Sequence, residues 1–210
     1  MSELFASSDL TAGQLNAIVK KLGGHDAAIR FLRGELAVSE PIRRWREQDG
    51  VIYFRLPPTD GTTGKGWIDR LEGKLFRLSG YAKSVLCAPN FVPTAGVVNE
   101  IGVLKGLLFS DEERITKSIR AEADKRKFQK PNAEVACLTR EMFTDEELEA
   151  MGLWWIAVMH DPINAAGGAP SLLGVSRHAD GLWLNAYVGK PAFRWNRSGG
   201  FAFAVPQVNP

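Results

Sequence analysis

The stretch "GLWLNAYVGKPAFRWNRSGGFAFAV", residues 181–205, decides the fold prediction for this chain. Apolar residues alternate with other residues at both of its ends, which predicts strands over 182–188 and 201–205. A loop of 13 residues, 188–200, joins the two strands. Loops of that length inside a compact domain are usually either functional or disordered.

Aromatic side chains are dense in this stretch. Six of them stand among Gly, Asn, Ser and Ala: Trp183, Tyr187, Phe193, Trp195, Phe201 and Phe203. Large rings mixed with small polar residues are typical of a binding surface. Because the loop carries Phe193 and Trp195, we expect it to be ordered and interpret it as a recognition site. The alternative is that these two rings only cover the core.

The strand pattern also predicts core residues. On the final strand, Phe201 and Phe203 fall on one face and can close the core. Leu184 on the preceding strand, and Ile156 and Val158 in the apolar run 153–160, are expected to be buried with them.

The whole chain is predicted to have three parts. Residues 1–40 form a small N-terminal helical appendage, 41–66 a linker with the first strand, and 67–210 an α+β domain with a mixed sheet and short helices. Strand-like runs cover 51–56, 96–109, 133–143, 153–160 and 171–175. Helix-like runs cover 67–75, 81–87, 111–127 and 144–151, and two more in the appendage cover 11–22 and 25–33.

Composition narrows the classes of partner. A formal net charge of +2 gives no electrostatic reason to expect nucleic acid or a membrane as a partner. The sequence contains no apolar run near the roughly 18 residues of a membrane span. Its first residues lack the pattern of a signal peptide, so a cytoplasmic location is expected. The two short helices predicted around Gly23-Gly24 favour homo-oligomerisation through these helices. DNA association by residues 11–34 is the less favoured alternative.

Residues capable of catalysis are few and poorly spaced for it. His160 and His178 each lie near an acid, Asp161 and Asp180, but neither pair has metal-ligand or triad spacing. We therefore expect no metal, no cofactor and no catalytic residue. The alternative function is a small cytoplasmic hydrolase that uses Cys137 or His160. The simpler interpretation is that Cys137 and Cys87 are both buried free thiols.

The C-terminal part of the chain resembles a known protein family. Residues from about 79 to 205 are similar to the variable proteins of diversity-generating retroelements, which carry the frame "GxWLxxxxxxPxxxWxxxxGFAF". Here the frame residues are Gly181, Leu182, Trp183, Leu184, Pro191, Trp195 and Gly200 to Phe203. In this family an error-prone reverse transcriptase randomises template adenines, and most residues between the frame positions are reachable from Asn or Asp codons. Lys190 departs from that rule.

The resemblance implies a C-type-lectin-like fold whose last strands and loop bind a ligand without catalysis. The hypervariable region would span about 176–200, held by the scaffold residues Trp183, Pro191 and Trp195. The ligand would be an unknown protein or small molecule. The implied ligand-binding positions are His178, Ala179, Asp180, Tyr187, Val188, Ala192, Phe193, Asn196, Ser198 and Gly199.

Overall fold

A computed structural model of the chain describes residues 11–37 and 43–206. The chain divides into two compact units, Met1–Arg43 and Arg44–Pro210. Parts of the predicted appendage (1–10 and 38–40), of the predicted linker (41–42) and of the C-terminal tail (207–210) lie outside the described residues.

The first unit contains the two predicted helices, which are confirmed. Helix α1 spans Ala12–Leu22, and helix α2 spans His25–Leu32. Thr11 and Gln14 form a capping box at the start of α1, and Gly23, with a φ of 100°, ends α1 in the left-handed conformation that glycine tolerates. Neither helix buries a residue.

The second unit is built on a mixed sheet of nine strands, as the coarse fold prediction required. The strands are β1 (Trp45–Gln48), β2 (Val51–Arg55), β3 (Arg77–Leu78), β4 (Glu100–Lys105), β5 (Trp155–Val158), β6 (Ile163–Asn164), β7 (Pro170–His178), β8 (Gly181–Val188) and β9 (Gly199–Ala204). Their order is β1-β2-β4-β9-β5-β7-β8-β3, and β6 pairs with β7. The β5–β9 and β3–β8 pairs are parallel, and the others are antiparallel.

The strand β9 lies in the middle of the sheet, between β4 and β5. Both of its edges are therefore paired, and because a core packs against each face of the sheet, Phe201, Ala202 and Phe203 are all buried. Leu184 and Ile156 are buried as predicted, and so is Val158. An apolar run such as FAFAV is typical of a strand with this central position.

Short helices cover the sheet. They are α3 (Gly64–Gly73), α4 (Gly80–Leu86), α5 (Thr116–Lys125), α6 (Glu134–Met142) and α7 (Asp145–Ala150), with a 3-10 turn at Gly106–Leu108. Residues of α3, α4, α6 and α7 pack into the core on one face of the sheet. On the other face, Ile119 and Ala123 of α5 pack into a smaller core that is rich in aromatic rings.

The prediction of a strand over 133–143 was wrong, because these residues form helix α6. The helix begins at Glu134, whose backbone N–H donates to the Asn132 side chain at 3.1 Å. Every residue from Glu134 to Arg140 is buried. The apolar run 135–138 is only four residues long, and over so short a run the hydrophobic period does not distinguish a buried helix from a buried strand.

The predicted linker also contains a strand. Strand β1 pairs with β2 in a hairpin, so residues 45–48 belong to the sheet. Asp49 and Gly50, with φ of 52° and 71°, form the two-residue turn between them. An Asp-Gly pair is a strong hairpin signal because both positions need a positive φ.

Two further predicted elements are shorter than expected. Of the run 96–109, only β4 is a strand, and Gly106 begins the 3-10 turn after it. Ser110 and Glu113 hydrogen bond to each other, but helix α5 does not begin there. The helix begins at Thr116 because Ile115 is held in an extended bridge to Arg194.

Candidate functional site

The hairpin between β7 and β8 places three of the candidate residues around Trp183. His178 pairs with Gly181 across the hairpin, with Ala179 and Asp180 in the turn. The Trp183 indole N–H donates to Asp180 Oδ1 at 3.0 Å, and the His178 ring lies edge-on to the indole with a centroid separation of 5.8 Å. All three candidate side chains are exposed, while Trp183 is half-buried beneath them.

Arg77, which the sequence analysis missed, completes this arrangement. Its Nη1 donates to Asp180 Oδ2 at 2.9 Å, and its guanidinium lies 5.8 Å from the centre of the Trp183 ring. The hydrogen bond from Trp183 and the charge of Arg77 lower the pKa of Asp180. The contact was missed because it depends on β3 pairing in parallel with β8, a pairing of only two residues.

The loop after β8 is held mainly by its backbone. The Gly189 N–H donates to Pro170 O, and the carbonyls of Pro191 and Phe193 accept hydrogen bonds from the backbone of Lys117 and Thr116. Further along, the Trp195 N–H donates to Arg114 O at 2.9 Å, and Ser198 O accepts from the Trp154 N–H at 2.8 Å. These bonds fix the loop without using the side chains of Ala192 or Ser198.

Beneath the loop lies a cluster of aromatic rings. Trp195 is 7 % exposed, and its indole N–H donates to Thr116 Oγ1 at 3.0 Å. The Trp195 ring centroid lies 4.9 to 5.7 Å from those of Phe193, Trp155, Phe201 and Tyr187. Burial in this cluster raises the pKa of Tyr187 to about 12. Trp195 and the half-buried Phe193 and Tyr187 are therefore a rigid base for the loop.

The exposed candidate positions form two groups at opposite ends of β8. One group is the hairpin-end surface, which we define as His178, Ala179, Asp180, Asn196 and Ser198. The Trp154 N–H donates to Ser198 O, and the Arg177 N–H donates to Trp154 O. Since adjacent hydrogen-bonded segments lie about 4.8 Å apart, Ser198 lies roughly 10 Å from the hairpin at Arg177.

The second group, Val188 and Ala192 with the exposed scaffold residue Pro191, lies at the other end of β8. A strand rises about 3.3 Å per residue, so Val188 lies roughly 23 Å from the hairpin turn. The candidate positions therefore do not meet on one continuous surface.

Gly199 does not fit the variable ligand-binding position that the resemblance implies. It is buried opposite Trp155 in the β5–β9 pair, and a Cβ atom at Gly199 would overlap the indole of Trp155. Only glycine fits at this place, so the prediction for Gly199 was wrong.

Trp154 lies next to the hairpin-end surface and was not among the predicted residues. It is 51 % exposed, and the guanidinium of Arg177 lies 4.8 Å from the centre of its ring. Arg177 is held in turn by Glu149 at 2.9 Å. The sequence signal was the pair Trp154-Trp155, because adjacent residues of a strand point to opposite faces.

The two residues of the alternative hydrolase hypothesis are both in the interior. Cys137 is fully buried in α6, and burial raises the pKa of its thiol well above the usual value. The His160 Nδ1 lies 2.6 Å from Asp161 O, and Nε2 accepts the Leu173 N–H at 2.8 Å. Burial lowers the pKa of His160 to about 4, so its imidazole is neutral with both nitrogens engaged. Cys87, predicted to be buried, is exposed.

The described residues contain neither a cluster of side chains suited to a metal ion nor a helix suited to crossing a membrane. No three His, Cys, Asp or Glu side chains in residues 11–37 and 43–206 are grouped so as to hold a metal ion. Within the same ranges, no helix has the length and apolar character needed to cross a membrane. The chain matches no protein-family model, no curated protein and no solved structure.

Proposed function

We propose that this chain is a ligand-binding display protein with no catalytic role, and that it binds an unknown protein or small molecule through the hairpin-end surface. The observation that carries the proposal is the way the loop is held. Backbone hydrogen bonds, the buried Trp195 and the bond from the Ser198 N–H to Asn196 Oδ1 fix its path, while the side chain of Ser198 remains exposed. Side chains at such positions can change without altering the fold, which is the requirement for a surface open to variation.

We further propose a C-type-lectin-like fold and diversification by a retroelement that mutates template adenines. The large mixed sheet with short helices is consistent with that fold. Sequencing the DNA around the gene tests the retroelement. A reverse transcriptase gene and a near-copy of the segment encoding 176–200 would support it, and the absence of both would contradict it.

The hairpin-end surface should tolerate joint replacement. We expect the combined variant to lower the melting temperature by less than about 10 °C, because five exposed substitutions of at most about 0.5 kcal/mol each sum to about 2.5 kcal/mol, and 1 kcal/mol shifts the melting temperature by about 2–4 °C in a chain of this size. The substitutions, all reachable from Asn codons, are His178→Tyr, Ala179→Ser, Asp180→Asn, Asn196→Asp and Ser198→Tyr. Thermal unfolding followed by circular dichroism measures the effect.

A matched control uses another serine. Ser176 is buried, and its Oγ accepts a hydrogen bond from Asn185 Nδ2 at 2.6 Å, so Ser176→Tyr should destabilise the protein strongly. If Ser198→Tyr were as destabilising as Ser176→Tyr, the hairpin-end surface would be part of the core and the display proposal would fail.

The N-terminal helices are proposed to form a homo-oligomer. Leu15 and Ile18 of α1 are exposed apolar residues, and a pair of short helices with nothing buried is marginal on its own. Light scattering should give a mass above the 23.1 kDa of one chain, and the double variant Leu15→Lys/Ile18→Lys should return it to that value. Asn16→Lys on the same helix is the control. A wild-type mass of one chain would contradict this prediction.

A further inference from the structure

An open cleft lies at the end of β8 that is remote from the hairpin-end surface. Its volume is about 550 Å³, which is in the range of small-molecule sites. Its lining includes Lys117 and Arg120 of α5 and the prolines at 162, 170 and 191. The wall therefore combines rigid apolar rings with cationic side chains.

Arg120 is the residue that gives the cleft its chemical character. Its Nη1 and Nη2 donate to the backbone carbonyls of Met159 and His160 at 2.9 and 2.8 Å. These bonds hold the guanidinium in place but do not neutralise it. Among the residues that the structure describes, no carboxylate forms an ion pair with Arg120. The guanidinium has further N–H donors beyond the two used here.

The acids of the cleft do not remove this excess of positive charge. Asp161 is hydrogen bonded to Lys130 at 2.6 Å, and both Asp161 and Asp124 act on Arg120 only through space. Within the described chain, Lys117 also has no ion-pair partner. Partial burial of a cation without a paired anion is costly, and an anionic ligand would offset that cost.

We propose that this cleft binds an organic carboxylate with an apolar body, its carboxylate held by Arg120 and Lys117 and its body packed against the prolines. A guanidinium matches the two oxygens of a carboxylate, and proline rings offer a rigid apolar surface. The ligand could be a free small acid or the C-terminus of a peptide, which present the same chemistry. This site does not depend on the display function, since its walls are outside the hairpin-end surface.

Titration of the full chain with benzoate, followed by ¹⁵N–¹H spectra, tests the proposal. Benzoate at millimolar concentration should shift the amide signals of Lys117, Arg120 and Gly189 in a saturable way. Benzamide, which has the same shape without the charge, should bind at least about tenfold more weakly. The dipeptide acetyl-Pro-Phe is compared with its C-terminal amide to test whether the cleft binds the C-terminus of a peptide. Tighter binding by the dipeptide acid than by benzoate would assign the site to a chain terminus, and the reverse order to a free acid.

Single-residue variants distinguish specific binding of benzoate in the cleft from nonspecific attraction of benzoate to a basic protein. Lys117→Ala should weaken benzoate binding by about threefold to tenfold, and Arg120→Lys should weaken it while the bonds to the backbone are partly kept. Lys125→Ala on the same helix is the control, because Lys125 is exposed, pairs with Glu122 and does not line the cleft. Equal binding of benzoate and benzamide, an equal effect of Lys125→Ala and Lys117→Ala, or no shift with benzoate would each overturn the proposal.

Discussion

Replacing Trp155 with alanine should lower the free energy of unfolding by about 3–5 kcal/mol, the cost of removing a large buried ring. Trp155 is 8 % exposed. Its ring centroid lies 5.2 Å from that of Trp195, 5.5 Å from Phe201 and 5.7 Å from Tyr187. The variant therefore leaves a cavity at the centre of the aromatic cluster and removes part of the base under the loop. Chemical denaturation with urea measures the change.

The adjacent tryptophan is a matched control. Trp154 is half exposed and packs mainly against the guanidinium of Arg177, so Trp154→Ala should cost about 1 kcal/mol or less. A similar loss of stability in both variants would mean that the two rings are not on opposite faces of the sheet. The placement of the aromatic cluster beneath the loop would then be incorrect.

The sequence predicted those elements whose signals are local. The apolar runs 153–160 and 201–205 predicted the buried strands β5 and β9, and the helix-like runs 11–22, 81–87 and 144–151 predicted α1, α4 and α7. Helix α6 was mistaken for a strand because its apolar run, 135–138, is too short for the hydrophobic period to identify a helix. Elements determined by residues close in sequence were predicted correctly, and elements determined by distant packing partners were not.

The candidate site shows the same division. Exposure of His178, Ala179 and Asp180 follows from their place in a tight hairpin, which the sequence indicated. By contrast, the contact of Arg77 with Asp180 needs the β3–β8 pairing, and the cleft beside Arg120 needs α5 to meet the loops after β5 and β8. Such long-range pairings carry no signal in a single sequence.

The second large effect is expected at Gly199. Its φ is outside the left-handed region, so alanine there has no backbone penalty, and the whole cost is steric. The added Cβ would overlap the indole of Trp155, which the surrounding rings hold in place. We expect Gly199→Ala to cost about 3 kcal/mol or more, at or above the upper end for overpacked cores.

A double-mutant cycle identifies the cause of that loss. In a protein that already carries Trp155→Ala, the ring that meets the new Cβ is gone, so Gly199→Ala should cost far less than in the wild type. Gly80→Ala is the control, because Gly80 has an ordinary φ and open space around it, and alanine there should be neutral or stabilising by up to about 1 kcal/mol. Additive losses in the cycle would rule out a clash with Trp155.

The result at Gly199 also bears on where a variable segment could end. Ser198 is exposed and bonded through its backbone carbonyl, whereas the next residue has no room for any side chain. Random replacement at Gly199 would unfold most copies, since a loss of several kcal/mol is a large part of a total stability of about 5–15 kcal/mol. If a template copy of the segment encoding 176–200 exists, we expect its adenines to stop at the codon for Ser198. Adenines at the codon for Gly199, together with stable variants there, would contradict the packing described for β9.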